Sequence, residues 1–348
     1  MRLRRDAVVL GAGPAGALAA LLLARAGRSV ALLDRTAFPR PKVCGDCFNP
    51  RIEALLARHG VAEGFAALPH VALNAFELQT KGAPFHRAPI LGDMFRAVDR
   101  TVFDAWLVGL AREAGAEFFD STRIEAVHAD GRVTTDQGEF SGTHLIAADG
   151  RNSFAARQAG LLRPSRDGRI GWQLRLAGIA ATGTVRMNIF REGYYGLVSL
   201  PGGEANLAMV LDADARIEPE AILHRYLPEA RITAARSIAP IARAPSPPVR
   251  ESLWLVGDAA RVVEPFTGEG IFFALASAEL AAGLLAGNKI DAADLYRREH
   301  AALYRRHLGV NRLTRWLLGG GPARRRAAAL LRHAPSVVRL LAGRVFRA

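Results

Sequence analysis

With 348 residues, half of them hydrophobic, the chain can bury a sizeable core and fits one large domain carrying a second, inserted one. A formal charge of +13 admits nucleic acid, acidic ligands or anionic lipid, yet no nucleic-acid motif accompanies it. Two cysteines exclude a secreted disulfide framework, nine scattered histidines supply no spaced zinc ligands, and no apolar run nears the roughly 20 residues that span a bilayer.

The opening Met1-Arg2-Leu3-Arg4-Arg5 leads straight into an apolar strand, so no removable signal peptide and a cytoplasmic address are expected. That strand, Ala7-Val8-Val9-Leu10, delivers the chain into Gly11-Ala12-Gly13-Pro14-Ala15-Gly16. In such a turn Gly11 takes disfavoured torsions, Gly13 lets backbone approach a pyrophosphate, and Gly16 lets the next helix pack on the strand. The helix is predicted from Ala17 to Ala26, stopping at Gly27, with its first NH groups facing the phosphates. A second strand, Ser29 to Leu33, ends in Asp34, about 20 residues on, where an acidic side chain binds a ribose hydroxyl pair. Strand, helix and acid in register indicate a dinucleotide.

Further along, Asp130-Gly131 and Asp136-Gln137-Gly138 punctuate short strands of a meander. A buried strand, Thr143 to Ala148, then ends in Asp149-Gly150, where a short acid and a flexible backbone can meet cofactor. Between 165 and 248, alternation in Trp172-Gln173-Leu174-Arg175-Leu176 and Ala205-Asn206-Leu207-Ala208-Met209-Val210 predicts a sheet, to which residues 71–96 add strands. Ala244-Pro245-Ser246-Pro247-Pro248 returns the chain to the first domain. Leu253 to Val256 is one more short strand, ending in Gly257-Asp258. The turn after it, with Pro265, Gly268 and Gly270, opens a helix from about Ile271 to Leu285 whose N-terminus can stabilise a reduced, negatively charged flavin ring. The first glycine segment alone indicates a dinucleotide; the three in this order indicate FAD.

The expected organisation is α/β and interleaved: a Rossmann-like FAD-binding domain (1–70, 97–160 and 250–290), an inserted antiparallel-sheet substrate domain (71–96 and 165–248), and C-terminal helices (291–348). From Arg305 onward there is no Asp or Glu, while Arg324, Arg325, Arg326, Arg332 and Arg344 interleave with apolar groups. Val337, Val338, Leu341 and Val345 share a helical face, so the tail reads either as an interfacial helix on anionic lipid or as a packed helix with a solvated basic face.

Taken together, these segments resemble the superfamily of FAD enzymes with the para-hydroxybenzoate-hydroxylase-like fold, and within it the geranylgeranyl reductase and menaquinone reductase group. The carrying residues are the Gly11–Gly16 turn with Asp34, then Phe38-Pro39-Arg40-Pro41-Lys42-Val43-Cys44-Gly45-Asp46. Asp99-Arg100 with Phe103-Asp104, Asp149-Gly150, Gly257-Asp258-Ala259-Ala260 and Pro265 through Ile271 complete them. The resemblance implies that Gly11, Gly13, Pro14, Ala15, Gly16, Asp34 and Arg35 hold the ADP half of FAD. It places Arg40, Cys44 and Gly45 at the cofactor, Arg100 beside the pyrophosphate, and Asp258 on the ribityl or pyrophosphate region. Pro265, Gly268, Glu269, Gly270 and Ile271 would present backbone to the isoalloxazine edge. Asp149-Gly150 serves both FAD and a transient NAD(P)H, for which no second glycine fingerprint exists here. The chain departs from the reductases at Tyr194-Tyr195-Gly196-Leu197-Val198-Ser199-Leu200-Pro201, where their Tyr-x-Trp-x-Phe-Pro stretch is missing, and it lacks the halogenase Trp-x-Trp-x-x-Pro signature.

Three readings of Cys44-Gly45-Asp46-Cys47 stand open: a flavin-facing thiol at Cys44, structural thiols, or a redox dithiol. Tyr194 and Tyr195 are candidate proton donors or pocket liners, or ordinary sheet aromatics, with Cys44 and Tyr195 the expected catalytic residues. The flavin itself carries the hard step. The expected activity is reduction of a C=C bond in a lipophilic polyprenyl or polyketide-derived molecule. Its alternatives are a monooxygenase that hydroxylates or epoxidises, and a flavoprotein that passes electrons to a quinone or partner.

Overall fold

The computed structural model describes residues 4–80, 86–90, 95–165, 167–287, 289–305 and 307–309. At its centre a sheet runs in the order Val249–Arg250, Leu253–Leu255, Gly138–Ala147, Arg5–Leu10, Val30–Leu33, Glu117–Phe119. All these neighbours pair in parallel except the first two strands. Val8, Val9, Leu10, Leu32, Leu33, Leu145, Ile146 and Ala147 are all buried, the unbroken apolar runs of strands covered on both faces. Helices Pro14–Arg25, Arg100–Glu113 and Gly270–Ala286 pack over one face. On the other lie helix Phe154–Gln158 and the meander, in which Gly138–Ala147 pairs with Arg132–Thr135 and that strand with Ile124–Val127.

Strand Arg5–Leu10 has Val30–Leu33 on one side and Gly138–Ala147 on the other. The chain therefore departs to opposite sides of this strand, the topological switch point at whose C-terminal strand ends open α/β sheets bind ligands. The predicted first helix starts three residues earlier than expected, at Pro14, because proline's fixed φ suits the first helical position and its missing NH costs nothing there.

Two excursions from that sheet, one between Val30–Leu33 and Glu117–Phe119 and one between Gly138–Ala147 and Val249–Arg250, together build another. Its order is Arg231–Ile238, Arg169–Ala177, Ala205–Asp212, Gly193–Ser199, Thr184–Ile189, Ala75–Thr80, His86–Pro89. Period-two alternation divides its side chains. Leu174, Leu176, Tyr195, Leu197, Leu207, Met209 and Leu211 pack beneath Ile222 and Leu223 of helix Pro219–Tyr226. Tyr194 and Val210 occupy the opposite face, with Met187, Ile189 and Phe266. Of the strands expected between 71 and 96, Ala75–Thr80 and His86–Pro89 join this sheet, whereas Val71–Leu73 does not. It pairs instead with Phe95–Ala97, which also takes Cys47–Phe48, so that Leu73, Phe95 and Ala97 close over Val198 and Leu200.

Helix Ala292–Arg305 returns to the first sheet. Its Tyr296, His300 and Tyr304, spaced four apart, form one buried stripe. Tyr296 meets Trp254 at 5.2 Å and Tyr304 stacks on Phe273 at 4.6 Å. No described helix is long and apolar enough to cross a membrane. The arginine-rich tail with Val337, Val338, Leu341 and Val345 lies outside the described residues.

Candidate active site

The three glycine segments meet by direct contact. Gly11 adopts φ +103°, and a Cβ there would stand 2.7 Å from the Ala148 carbonyl oxygen and 2.9 Å from the Asp149 Cα. Gly257, at φ +58°, is wedged so that a Cβ would lie 3.2 Å from the Ala15 Cβ and 3.4 Å from that of Ala274. A Cβ on Gly16 would overlap the Gly11 carbonyl oxygen. Gly13, by contrast, has room for a side chain, since a Cβ there would only touch the Arg40 guanidinium, at 3.8 Å. Gly13 also caps helix Pro14–Arg25 without a side-chain hydrogen bond. That leaves the helix's first NH groups as a ready anion site.

Beside this turn runs a buried ladder of charge. Asp34 Oδ2 accepts from the Ala12 NH at 2.9 Å and from Arg40 Nε and Nη2 at 3.2 and 3.0 Å. Arg40 Nη1 reaches Asp104 at 3.4 Å, and Asp104 takes both Arg100 Nε and Nη2 at 2.8 Å. Arg35 is exposed, so the residue after the acid stays out of the ladder. Lys42, passed over in the sequence, belongs here: a Cβ on Gly150 would lie 3.6 Å from its Nζ. Burial, then the charges of Arg40 and Arg100, push the Lys42 ammonium down to about 8, against Asp258 and Asp34, which hold it up. Its signal was its rarity, one of three lysines in the chain, set two residues after Arg40.

Two expected acidic contacts turn elsewhere. Asp149 Oδ2 accepts from the NH groups of Phe154 and Ala155 at 2.7 and 3.1 Å, tying down the start of the short helix Phe154–Gln158. Burial pushes this carboxyl up despite those bonds. Glu269 is buried with its carboxylate on Arg51 at 3.2 Å and His307 at 3.0 Å, inside the helical layer. Both pairs use its Oε1; its Oε2 is buried without a hydrogen-bond partner, and its backbone stands at the start of helix Gly270–Ala286. Around it Gly268, at φ +66°, and Gly270 face open space, while Ile271 is buried. Asp258 is bracketed by arginines: Arg151 reaches its carboxylate at 3.5 Å and Arg243 donates to its carbonyl at 3.3 Å.

The Cys44 segment is pinned against the inserted sheet. Its carbonyl accepts Gln173 Nε2 at 3.2 Å and Asn206 Nδ2 at 2.9 Å, and Gly45 lies against Ala208. Neither amide figured among the expected site residues; the signal was a polar residue breaking each apolar strand on one face. Asp46, at φ +53° and fully buried, binds Arg175 at 2.8 Å, which also reaches Asp99 at 3.0 Å. Burial raises the Asp46 carboxyl to about 7 although Arg175 opposes it. Cys44 and Cys47 are both free thiols. Burial raises Cys44 even with Arg100 beside it and pushes Cys47 up to about 12, so both are protonated at neutral pH. Cys47 packs with Leu73 and Phe95.

The expected catalytic Tyr195 is corrected by the pleat. Its hydroxyl meets Asn188 at 3.3 Å and its ring packs with Phe190 and Tyr226, on the face covered by helix Pro219–Tyr226. Tyr194 lies buried on the opposite face of the sheet. Its hydroxyl donates to Glu264 at 2.9 Å, and its ring meets Phe266 edge-on at 5.2 Å. Glu264 also accepts both ends of the Arg169 guanidinium at 3.1 Å. Sequence reasoning began this segment at Pro265 and so missed the carboxylate one residue before it.

An open glycine cradle at a helix N-terminus, a cationic cluster at Arg40, Lys42 and Arg100, and bare backbone at Gly268 and Gly270 suit a dinucleotide ending in a flat ring. Residues 4–187 match the model of the FAD binding domain family. Menaquinone reductase of Mycolicibacterium smegmatis is 30% identical to this chain, over 97% of it and 92% of the relative. Geranylgeranyl diphosphate reductase of Rhodobacter capsulatus is 29% identical, over 80% and 74%. Among solved structures, the flavin-dependent brominase Bmp2 matches with a TM-score of 0.79 at 20% identity, covering 99% of this chain and 94% of that one. P. aeruginosa PqsL in complex with 2-aminobenzoylacetate matches at 0.77 and 19%, covering 94% and 100%. At such identities these two show the fold alone. With a family model matched over more than half its length and a relative aligned nearly end to end, the chain belongs to the FAD binding domain family and is an FAD-dependent oxidoreductase.

Proposed function

We propose that the enzyme reduces a carbon–carbon double bond in a lipophilic small molecule, polyprenyl or polyketide-derived. The observation that carries this is the Cys44 segment, fastened by Gln173 and Asn206 to the inserted sheet with its thiol beside Arg100. A protonated thiol at this position can place a proton on the alkene carbon opposite the one that receives hydride. The similarity to menaquinone and geranylgeranyl diphosphate reductases supports the same reading. When bound, FAD supplies the hydride from its reduced ring.

The chain's own residues hold that cofactor in stages. Gly11, Gly13, Pro14, Ala15 and Gly16 take the diphosphate on the helix N-terminus, and Asp34 takes the ribose. Arg40, Lys42 and Arg100 would balance the phosphate charge, Asp258 would meet the ribityl chain, and backbone from Pro265 through Ile271 would face the ring. A transiently docked NAD(P)H would approach Gly150, beside Asp149, to supply the reducing electrons. The arginine-rich tail draws the enzyme to anionic membrane, where such a substrate is concentrated.

The test is anaerobic: reduced enzyme is mixed with a polyprenyl quinone in anionic vesicles, at low and high salt, and product is read by mass. Oxygen-independent reoxidation is expected, with a product that stays two hydrogens heavier after any quinol has been reoxidised to quinone. It should be faster at low salt because exposed charges are screened over about 8 Å at physiological ionic strength. A gain that reoxidation reverses would mark reduction of the quinone ring alone and overturn the proposal. Cys44→Ala should lower turnover by about 100-fold with FAD content kept, and Cys47→Ala far less. A hydroxylated product that requires oxygen would sink the proposal.

Lys42 gives a pH dependence. Below its value of about 8 the ammonium is already charged, so FAD binds without taking up a proton. As pH rises above 8, binding must recharge it, and FAD affinity should fall by up to about tenfold per pH unit. Lys42→Met should weaken binding at pH 7 and flatten that fall, measured by flavin fluorescence titration. An unchanged slope in the variant would assign the titration to another group.

A further inference from the structure

We infer that Glu264 is a positioning residue that fastens the Pro265–Ile271 turn to the inserted sheet and sets how readily the flavin beside that turn is reduced. This rests on the proposed placement of the flavin ring along the turn. Glu264 is fully buried, and its two ends belong to different parts of the fold. Its carbonyl accepts the Thr267 hydroxyl at 3.0 Å, inside the turn. Its carboxylate is held by the sheet: Arg169 Nη1 and Nη2 at 3.1 Å each from strand Arg169–Ala177, and the Tyr194 hydroxyl at 2.9 Å from strand Gly193–Ser199. Arg169 is oriented in turn by Asp167, through Nε at 2.9 Å and Nη2 at 2.7 Å. Tyr194 adds an apolar contact to the same turn, its ring edge-on to Phe266 at 5.2 Å.

The arrangement does more than glue two elements. With the ring along this turn, the Glu264 carboxylate, shielded from water, would hold negative charge near the place where reduction adds electron density. Screening is weak in a buried setting, so that charge opposes reduction even though Arg169 offsets part of it. Glutamine has nearly the same shape: its one oxygen can accept from both Tyr194 and Arg169 Nη1, the bond from Arg169 Nη2 is lost, and the charge is removed. The local potential becomes more positive and the reduced flavin is favoured. The sheet that carries the substrate thereby also sets the driving force of the step.

The test measures the reduced-to-oxidised flavin ratio of the FAD-loaded enzyme by dye equilibration at fixed potential. Glu264→Gln should raise that ratio about tenfold, equivalent to about 30 mV for a two-electron couple. Asp167→Asn, one contact further away, should raise it about threefold and serves if the first variant folds poorly. Tyr194→Phe and Glu264→Asp keep the carboxylate charge and should stay within about twofold of the parent. If both charge-removing variants hold FAD at the parent ratio, or if Tyr194→Phe shifts it as much as Glu264→Gln, the inference fails. A parent enzyme that reduces no double bond but shows the Glu264→Gln shift refutes the proposed reaction alone. One that turns over while its charge variants leave the ratio unmoved refutes this inference alone.

Discussion

Asp34→Ala is expected to strip the protein of FAD and to lower its folding stability by about 3–5 kcal/mol, the usual cost of removing one partner of a buried ion pair. The change leaves the Ala12 NH unpaired and leaves Arg40 with Asp104, 3.4 Å away, as its remaining carboxylate. Arg40 is itself buried, so water cannot take over the lost contact. Asp34→Asn separates the two effects, since its amide oxygen still accepts from Ala12 while the charge is gone. It should fall between parent and alanine in a urea unfolding curve. An alanine variant with parental stability and full flavin content would show that the ladder from Asp34 to Arg100 is not needed.

Gly11→Ala should cost about 3 kcal/mol or more and yield protein without flavin. Two penalties add. An L side chain at φ +103° is strained by about 1–3 kcal/mol, and its Cβ would press on the backbone of Ala148 and Asp149 at 2.7 to 2.9 Å. Overpacking of that kind adds roughly 1–3 kcal/mol. Gly27→Ala is the control, because Gly27 also has positive φ, +76°, but nothing lies within 4 Å of its Cβ position. If the two variants unfold at the same urea concentration, the first two glycine segments do not press together as described.

The parallel sheet, its helices and the three glycine turns were legible in the sequence because their causes are local. Apolar runs such as Ala7–Leu10 can satisfy their backbone only between two covering layers, and a turn that needs positive φ selects glycine at Gly11 and Gly257. The end of the first helix followed from Gly27 to within a residue, at Arg25, whereas its start at Pro14 lies three residues before the expected Ala17. The alternation that predicted the inserted sheet was equally plain, but it could not say which face lay under helix Pro219–Tyr226 and which packed on Phe266. Only tertiary pairing decided that Tyr194 faces inward and Tyr195 lies under helix Pro219–Tyr226. The same holds for charge. What Asp149 and Glu269 bind depends on Phe154, Arg51 and His307, brought to them by the fold, and Glu264 acquired its role from Arg169 and Tyr194, at least 70 residues away in the chain. A backbone torsion is a property of a few neighbouring residues, whereas the partner of a buried carboxylate is a property of the whole packed molecule.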